Sequence, residues 1–246
     1  MFRSFWQNSV SFNWRLGFLL ILLLGIPRFI IVLQANVTSN YQLIPVIFIT
    51  MIFTPFIFLN REGRRAIGLK KPANYYWLPL SFLSGMLFCS AMYATADFLF
   101  QHTFDNWFVY ISKSYAASKM PIRESERLTY FIIYSMIGMT LSPIGEEIFY
   151  RGIVHKCFAV NVGDKKASIL DSLAFAFTHL AHFGIVYLSG DWDFLCLPAM
   201  IWLLFMFLAS RLFFVCLQKT GSLSGAILCH SGYNLAMMYF IFYHIL

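Results

Sequence analysis

Charge is what this sequence has least of. Of its 246 residues, 18 are Lys or Arg and 11 are Asp or Glu, so 12% are charged, against about 25% in an ordinary soluble domain. With 59% hydrophobic residues and a mean hydropathy of +0.68, the shortage rules out a soluble globular domain and implies an integral membrane protein. The net charge is +7, yet the basic residues sit in short loops between apolar runs, with no basic patch interleaved with exposed aromatics. A lipid bilayer is therefore an expected partner and nucleic acid is not. The five cysteines show neither zinc-ligand nor disulfide-framework spacing, so they are expected as small apolar fillers. His-Glu-x-x-His and Gly-x-Ser-x-Gly are both absent, as is any prominent Ser/Lys pair, which removes the commonest zinc-peptidase and serine-hydrolase signatures. No soluble domain, long linker, low-complexity tract or repeat interrupts the chain.

What is present is a series of apolar runs near the roughly 20 residues that a helical span needs. They lie at 16–34, 42–59, 75–100, 128–156, 168–188, 195–217 and 223–245. The expected fold is an all-α polytopic transmembrane bundle of about seven or eight spans. The segment 104–117, with Trp107, Phe108 and Lys113, suits an interfacial helix better than an eighth span. Arg3 and Arg15 precede Leu16–Ile26 with no small-x-small cleavage site, so the first run is expected to be an uncleaved span. Basic residues concentrate in 60–74, 155–167 and 218–222, while 189–194 carries only Asp191 and Asp193. The positive-inside rule then predicts a cytoplasmic N-terminus and a multi-pass topology with the basic loops inside.

Within 128–156 stand two adjacent acids, Glu146 and Glu147, with Arg151 four residues beyond the second. Charge at membrane depth is costly, rare and usually functional. A helix turns by about 100° per residue, so Glu147 and Arg151 share a face as an ion pair, whereas Glu146 is aimed elsewhere. Pro143 and Gly145 just before the acids suggest a kink and open backbone. The predicted topology brings His179, His230 and Asn234 to a similar depth. His230 and Asn234, four apart, are both hydrogen-bond donors on one face and could hold an oxyanion. Three chemistries use such a set. Glu146 and His179 could activate water for attack on a peptide carbonyl. Glu146, His179 and His230 could bind zinc. The acids and histidines could relay protons or ions in a transporter, though inverted repeats are lacking.

At these residues the chain resembles the CPBP family of intramembrane proteases, which includes the type II CAAX prenyl endopeptidases. The motifs are Glu146-Glu147-Ile-Phe-Tyr-Arg151, Phe175-Ala-Phe-Thr-His179 and His230-Ser-Gly-Tyr-Asn234, with lesser echoes in Gly68-Leu69-Lys70-Lys71-Pro72 and Gly221-Ser222-Leu223. Each motif alone is weak, and all three in order are specific. The resemblance implies an N-terminal part, 1–127, of helices and loops, and a catalytic helical core, 128–246, within one membrane unit. It implies an intramembrane peptidase, glutamate-type or zinc-dependent, cutting a protein or peptide near the cytoplasmic side, with CAAX-type processing one option. Glu146 would be the general base, His179 would help activate water, and His230 with Asn234 would stabilise the oxyanion. Glu147 and Arg151 would shape the site or touch substrate. No cofactor is favoured; zinc on Glu146, His179 and His230 is the alternative. His182 falls outside the family pattern and is expected to pack. Relatives of immunity or scaffold type provide a noncatalytic alternative.

Overall fold

The computed structural model describes residues 1–115 and 123–246. The end of the expected 104–117 helix and Lys119 lie outside them. The fold is an all-α bundle. Its helices are α1 Trp14–Thr38, α2 Ile44–Phe58, α3 Trp77–Phe100, α4 Glu124–Glu146, α5 His155–Thr178, α6 Cys196–Thr220 and α7 Leu223–Phe240. Four runs are long and apolar enough to cross a membrane: Trp14–Thr38, Trp77–Phe100, Glu124–Ala181 and Cys196–Thr220. The third run is two helices, because it turns back at Gly163 (φ 78°, ψ 160°). His155 bonds Asp171, sixteen residues on, at 2.7 Å; a straight helix would hold them about 24 Å apart. The two spans expected at 128–156 and 168–188 are thereby distinct. Apolar α2 is only 15 residues long, and α7 is diluted by its own polar residues, His230 and Asn234 among them.

Two expectations need correction. The span expected at 168–188 stops at Thr178, passes through a short 3-10 turn, and gives way to a hairpin pairing Ile185–Leu188 with Asp191–Phe194. Ile-Val-Tyr-Leu favours a strand, and Ser189 and Gly190 both take positive φ (54° and 98°), as a two-residue hairpin turn of this hand requires. The aromatics near 104–117 divide: Phe104 is exposed, whereas others turn into the protein. Trp107 and Phe108, on a short helix Trp107–Ser112, are fully buried, with Trp107 packed among Phe183, Trp202 and Phe205. Asn106 caps this helix by accepting from the Phe108 amide, and donates to the Gln101 carbonyl. The cysteines are free and four of them are buried; Cys196, at the start of α6, is exposed.

The three basic segments gather at one end of the bundle. Ala73 N donates to Thr220 O at 2.8 Å, Leu223 N to Gly68 O at 3.0 Å, and Ser222 Oγ to Lys70 O at 2.6 Å. The Gly68–Pro72 and Gly221–Leu223 stretches are therefore direct neighbours. Trp14 N donates to Asn161 Oδ1 at the same end, and the hairpin lies at the other.

Close helix approach positions the polar groups. A Cβ on Gly85 of α3 would fall 1.8 Å from Cys229 O, and one on Gly232 of α7 would fall 2.0 Å from Phe82 O. Small residues let membrane helices meet backbone to backbone, and here they seat α7 with His230 and Asn234 facing inward. Gly232→Ala is expected to cost about 1–3 kcal/mol through overpacking, read as a lower thermal midpoint in detergent.

Candidate active site

The segment carrying the acids is the most enclosed part of the chain. After Glu146 the helix widens into a π-turn, Glu147–Val154, in which every residue is buried. Pro143 supplies no backbone N–H but does not break α4; the irregularity lies just downstream, and π-turns in helices often accompany functional sites. Glu146 and Glu147 are both fully buried, so their charges must be met inside the protein.

Each acid has its own arginine. Glu147 Oε2 lies 3.1 Å from Arg151 Nε, the pairing expected from their spacing. Glu146 is ion-paired with Arg28, a buried residue of α1. Arg28 also approaches His179 Nε2 and His182 Nε2, each at 3.3 Å. A guanidinium can only donate, so an imidazole nitrogen bonded to it accepts; Nη2 offers two hydrogens to Glu146 and the two rings. His179 Nδ1 lies 2.7 Å from Phe175 O and must carry the proton, since a carbonyl only accepts. His179 thus meets Glu146 through Arg28 rather than directly.

His230 sits between the acids. Its Nδ1 is 2.8 Å from Glu147 Oε1 and its Nε2 is 3.8 Å from Glu146 Oε2. Phe213 stacks on this ring at 4.7 Å with an 11° tilt, fixing its plane. One amide hydrogen of Asn234 is committed to Gly138 O at 2.7 Å, which leaves the other. Ser142 Oγ donates to Glu146 Oε2 at 3.3 Å.

A cavity of about 190 Å³ adjoins these groups. Its polar lining comes from Arg28, Ser142, His179, His182, His230 and Asn234, and its remaining walls are mostly apolar, including Phe48, Trp202 and Met237. Helices far apart in sequence therefore direct hydrogen-bonding groups into one small space, as ligand and active sites commonly do. Of the six sequence-derived residues, Glu146, Glu147, Arg151, His179 and His230 are linked by these contacts, and Asn234 joins them at the cavity wall. His182, expected to pack, meets Arg28, and Arg28 and Ser142 are additions. Arg28 carried a usable signal: it is a lone charge inside the apolar run 16–34, the same warning that singled out the glutamates. Ser142 carried none, because a serine is not costly enough in an apolar run to stand out.

As zinc ligands, Glu146, His179 and His230 do not fit this arrangement. The Arg28 guanidinium occupies the space between Glu146 and His179, where a second cation would be repelled. Among the described residues no three His, Cys, Asp or Glu side chains converge on a metal position.

Residues 128–236 match the family model of the Rce1-like type II CAAX prenyl endopeptidases. No curated protein and no solved structure gives a significant match. The family's description is that of an endopeptidase, and the match covers 109 of the chain's 246 residues.

Proposed function

Because residues 128–236 match the Rce1-like type II CAAX prenyl endopeptidase family, we propose that the protein hydrolyses a peptide bond within the membrane by a carboxylate-activated water, without a metal. The observation that carries this reading is the convergence of His179, His230 and Asn234 on one cavity, with Glu146 Oε2 held 3.8 Å from His230 Nε2. Glu146 Oε2 and His230 Nε2 are 3.8 Å apart, too far for a direct hydrogen bond but close enough for one water to bond both at about 2.8 Å. In this proposal that water is the nucleophile, Glu146 takes its proton, and Glu146 then returns that proton to the leaving amine as the peptide C–N bond breaks. His179, with Nε2 accepting from Arg28, holds that guanidinium against Glu146. His230 and the free N–H of Asn234 donate to the developing oxyanion, and Glu147 offsets the charge of a His230 ring protonated at both nitrogens. Arg151 in turn holds Glu147. The N-terminus is placed on the cytoplasmic side, with the basic end of the bundle.

The substrate is proposed to be a CAAX-type C-terminal peptide. The test uses purified protein in lipid nanodiscs, with isoprenylated and unmodified CaaX peptides, and product masses as the readout. Cleavage that survives exhaustive chelation supports the metal-free mechanism; loss that zinc restores overturns it. Folded protein that cuts neither peptide would favour the noncatalytic, scaffold-type alternative.

A further inference from the structure

Arg151 has a second face that the candidate active site does not use. Its Nε is turned to Glu147 at 3.1 Å, and its plane lies over the Phe175 ring at 4.2 Å. Its two terminal nitrogens, Nη1 and Nη2, are buried and have no hydrogen-bond partner among the described residues. Buried guanidinium donors are ordinarily satisfied, and an unpaired one calls for an explanation.

The same side chain lines a second, mainly polar pocket of about 290 Å³ at the basic end of the bundle. Arg65, Lys70 and Lys156 also line it, and Asp164 is the one acid among the described lining residues. His155 adds no free carboxylate partner, since its nitrogens face Asp171 at 2.7 Å and Asp164 at 3.4 Å. With Arg151 paired to Glu147, Arg65, Lys70 and Lys156 around the single carboxylate of Asp164 still leave a positive excess. The excess continues outward, because Arg65 and Lys70 are shared with an adjoining depression that Arg61, Arg64 and Lys71 also line. The two neighbouring stretches Gly68–Pro72 and Gly221–Leu223 form part of the wall.

We propose that this pocket binds a phosphate-type anion, held by Arg65, Lys70 and Lys156 at its rim, with Arg151 buried in its wall. A tetrahedral anion with several acceptor oxygens matches a planar fork of donors and a ring of mobile cations better than one carboxylate does. The proposal does not depend on the peptidase reading, since it concerns binding alone. The same chemistry could be a lipid headgroup or a free phosphate.

The test uses the full chain in nanodiscs. In one arm, native mass spectrometry scores phosphatidylglycerol retained from mixed phosphatidylcholine–phosphatidylglycerol discs. In the other, thermal midpoints in pure phosphatidylcholine discs are followed against added inorganic phosphate. Each removed charge should weaken binding about fivefold, so K70A/K156A should bind about 25-fold less well, and Asp164→Asn about fivefold better. A response in the lipid arm identifies a headgroup site, and a response in the phosphate arm a soluble-anion site. If the double variant fails to fold, Asp164→Asn alone decides. Wild type without anion preference in either arm, or variants that bind as wild type does, would overturn the proposal.

Discussion

Glu146→Gln is expected to lower peptide turnover by about 10²–10⁴-fold, the range that a positioned general base contributes. The substitution keeps the side chain's size and an acceptor oxygen but removes the group that would take a proton from water. It also leaves the Arg28 charge without its counterion in a buried position. Some stability should therefore be lost together with the activity, and turnover must be normalised to folded protein. Pairing the change with Arg28→Gln separates the two effects. The double variant should recover stability, because neither charge is then stranded, while turnover stays low. Glu146→Gln enzyme that retains turnover within tenfold of wild type, per folded molecule, would sink the assignment of Glu146 as base.

The second large effect belongs to Arg28. Removing one partner of a buried ion pair typically costs about 3–5 kcal/mol, because the other charge is left unpaired. Arg28→Leu strands Glu146 and also frees the two imidazole nitrogens that Arg28 bonds at 3.3 Å. It should be among the most destabilising single changes in the chain, seen as a large fall in the thermal midpoint or in folded yield. Arg28→Leu with Glu146→Leu should be much milder than the sum of the two single changes, since neighbours in one network are not additive. An additive cycle would show that Arg28 and Glu146 do not act as a pair.

Arg28 also shows where the sequence alone stops. Glu147 and Arg151 could be paired from their spacing, because helical geometry makes residues four apart neighbours. For Glu146 the same rule finds no partner in its own helix. Its partner comes from α1, more than a hundred residues earlier, and no local periodicity links the two. His179 shows the same limit. It could be grouped with Glu146 by depth, but not the fact that a guanidinium stands between them. The hairpin at 185–194 was missed for a different reason: an apolar Ile-Val-Tyr-Leu stretch next to a helix reads as more helix, and the Ser189-Gly190 turn that ends it is a weak signal. Trp107 and Phe108 were placed at the membrane surface because aromatics favour interfaces. Their burial against Trp202 and Phe183 depends on how the helices pack.

The sequence by itself determined that this is a membrane-embedded helical protein, because length, apolar content and scarcity of charge are sums along the chain. It also singled out Glu146, Glu147, Arg151, His179, His230 and Asn234, because polar groups in apolar runs are conspicuous and their motifs are local. The tertiary structure alone decided that Glu146 meets Arg28, that His230 stands between two carboxylates, and that the basic segments line one pocket with Arg151 in its wall. Those pairings are set by the distance between helices and by glycines such as Gly85 and Gly232 that allow it, and contacts across that gap leave no period in the sequence.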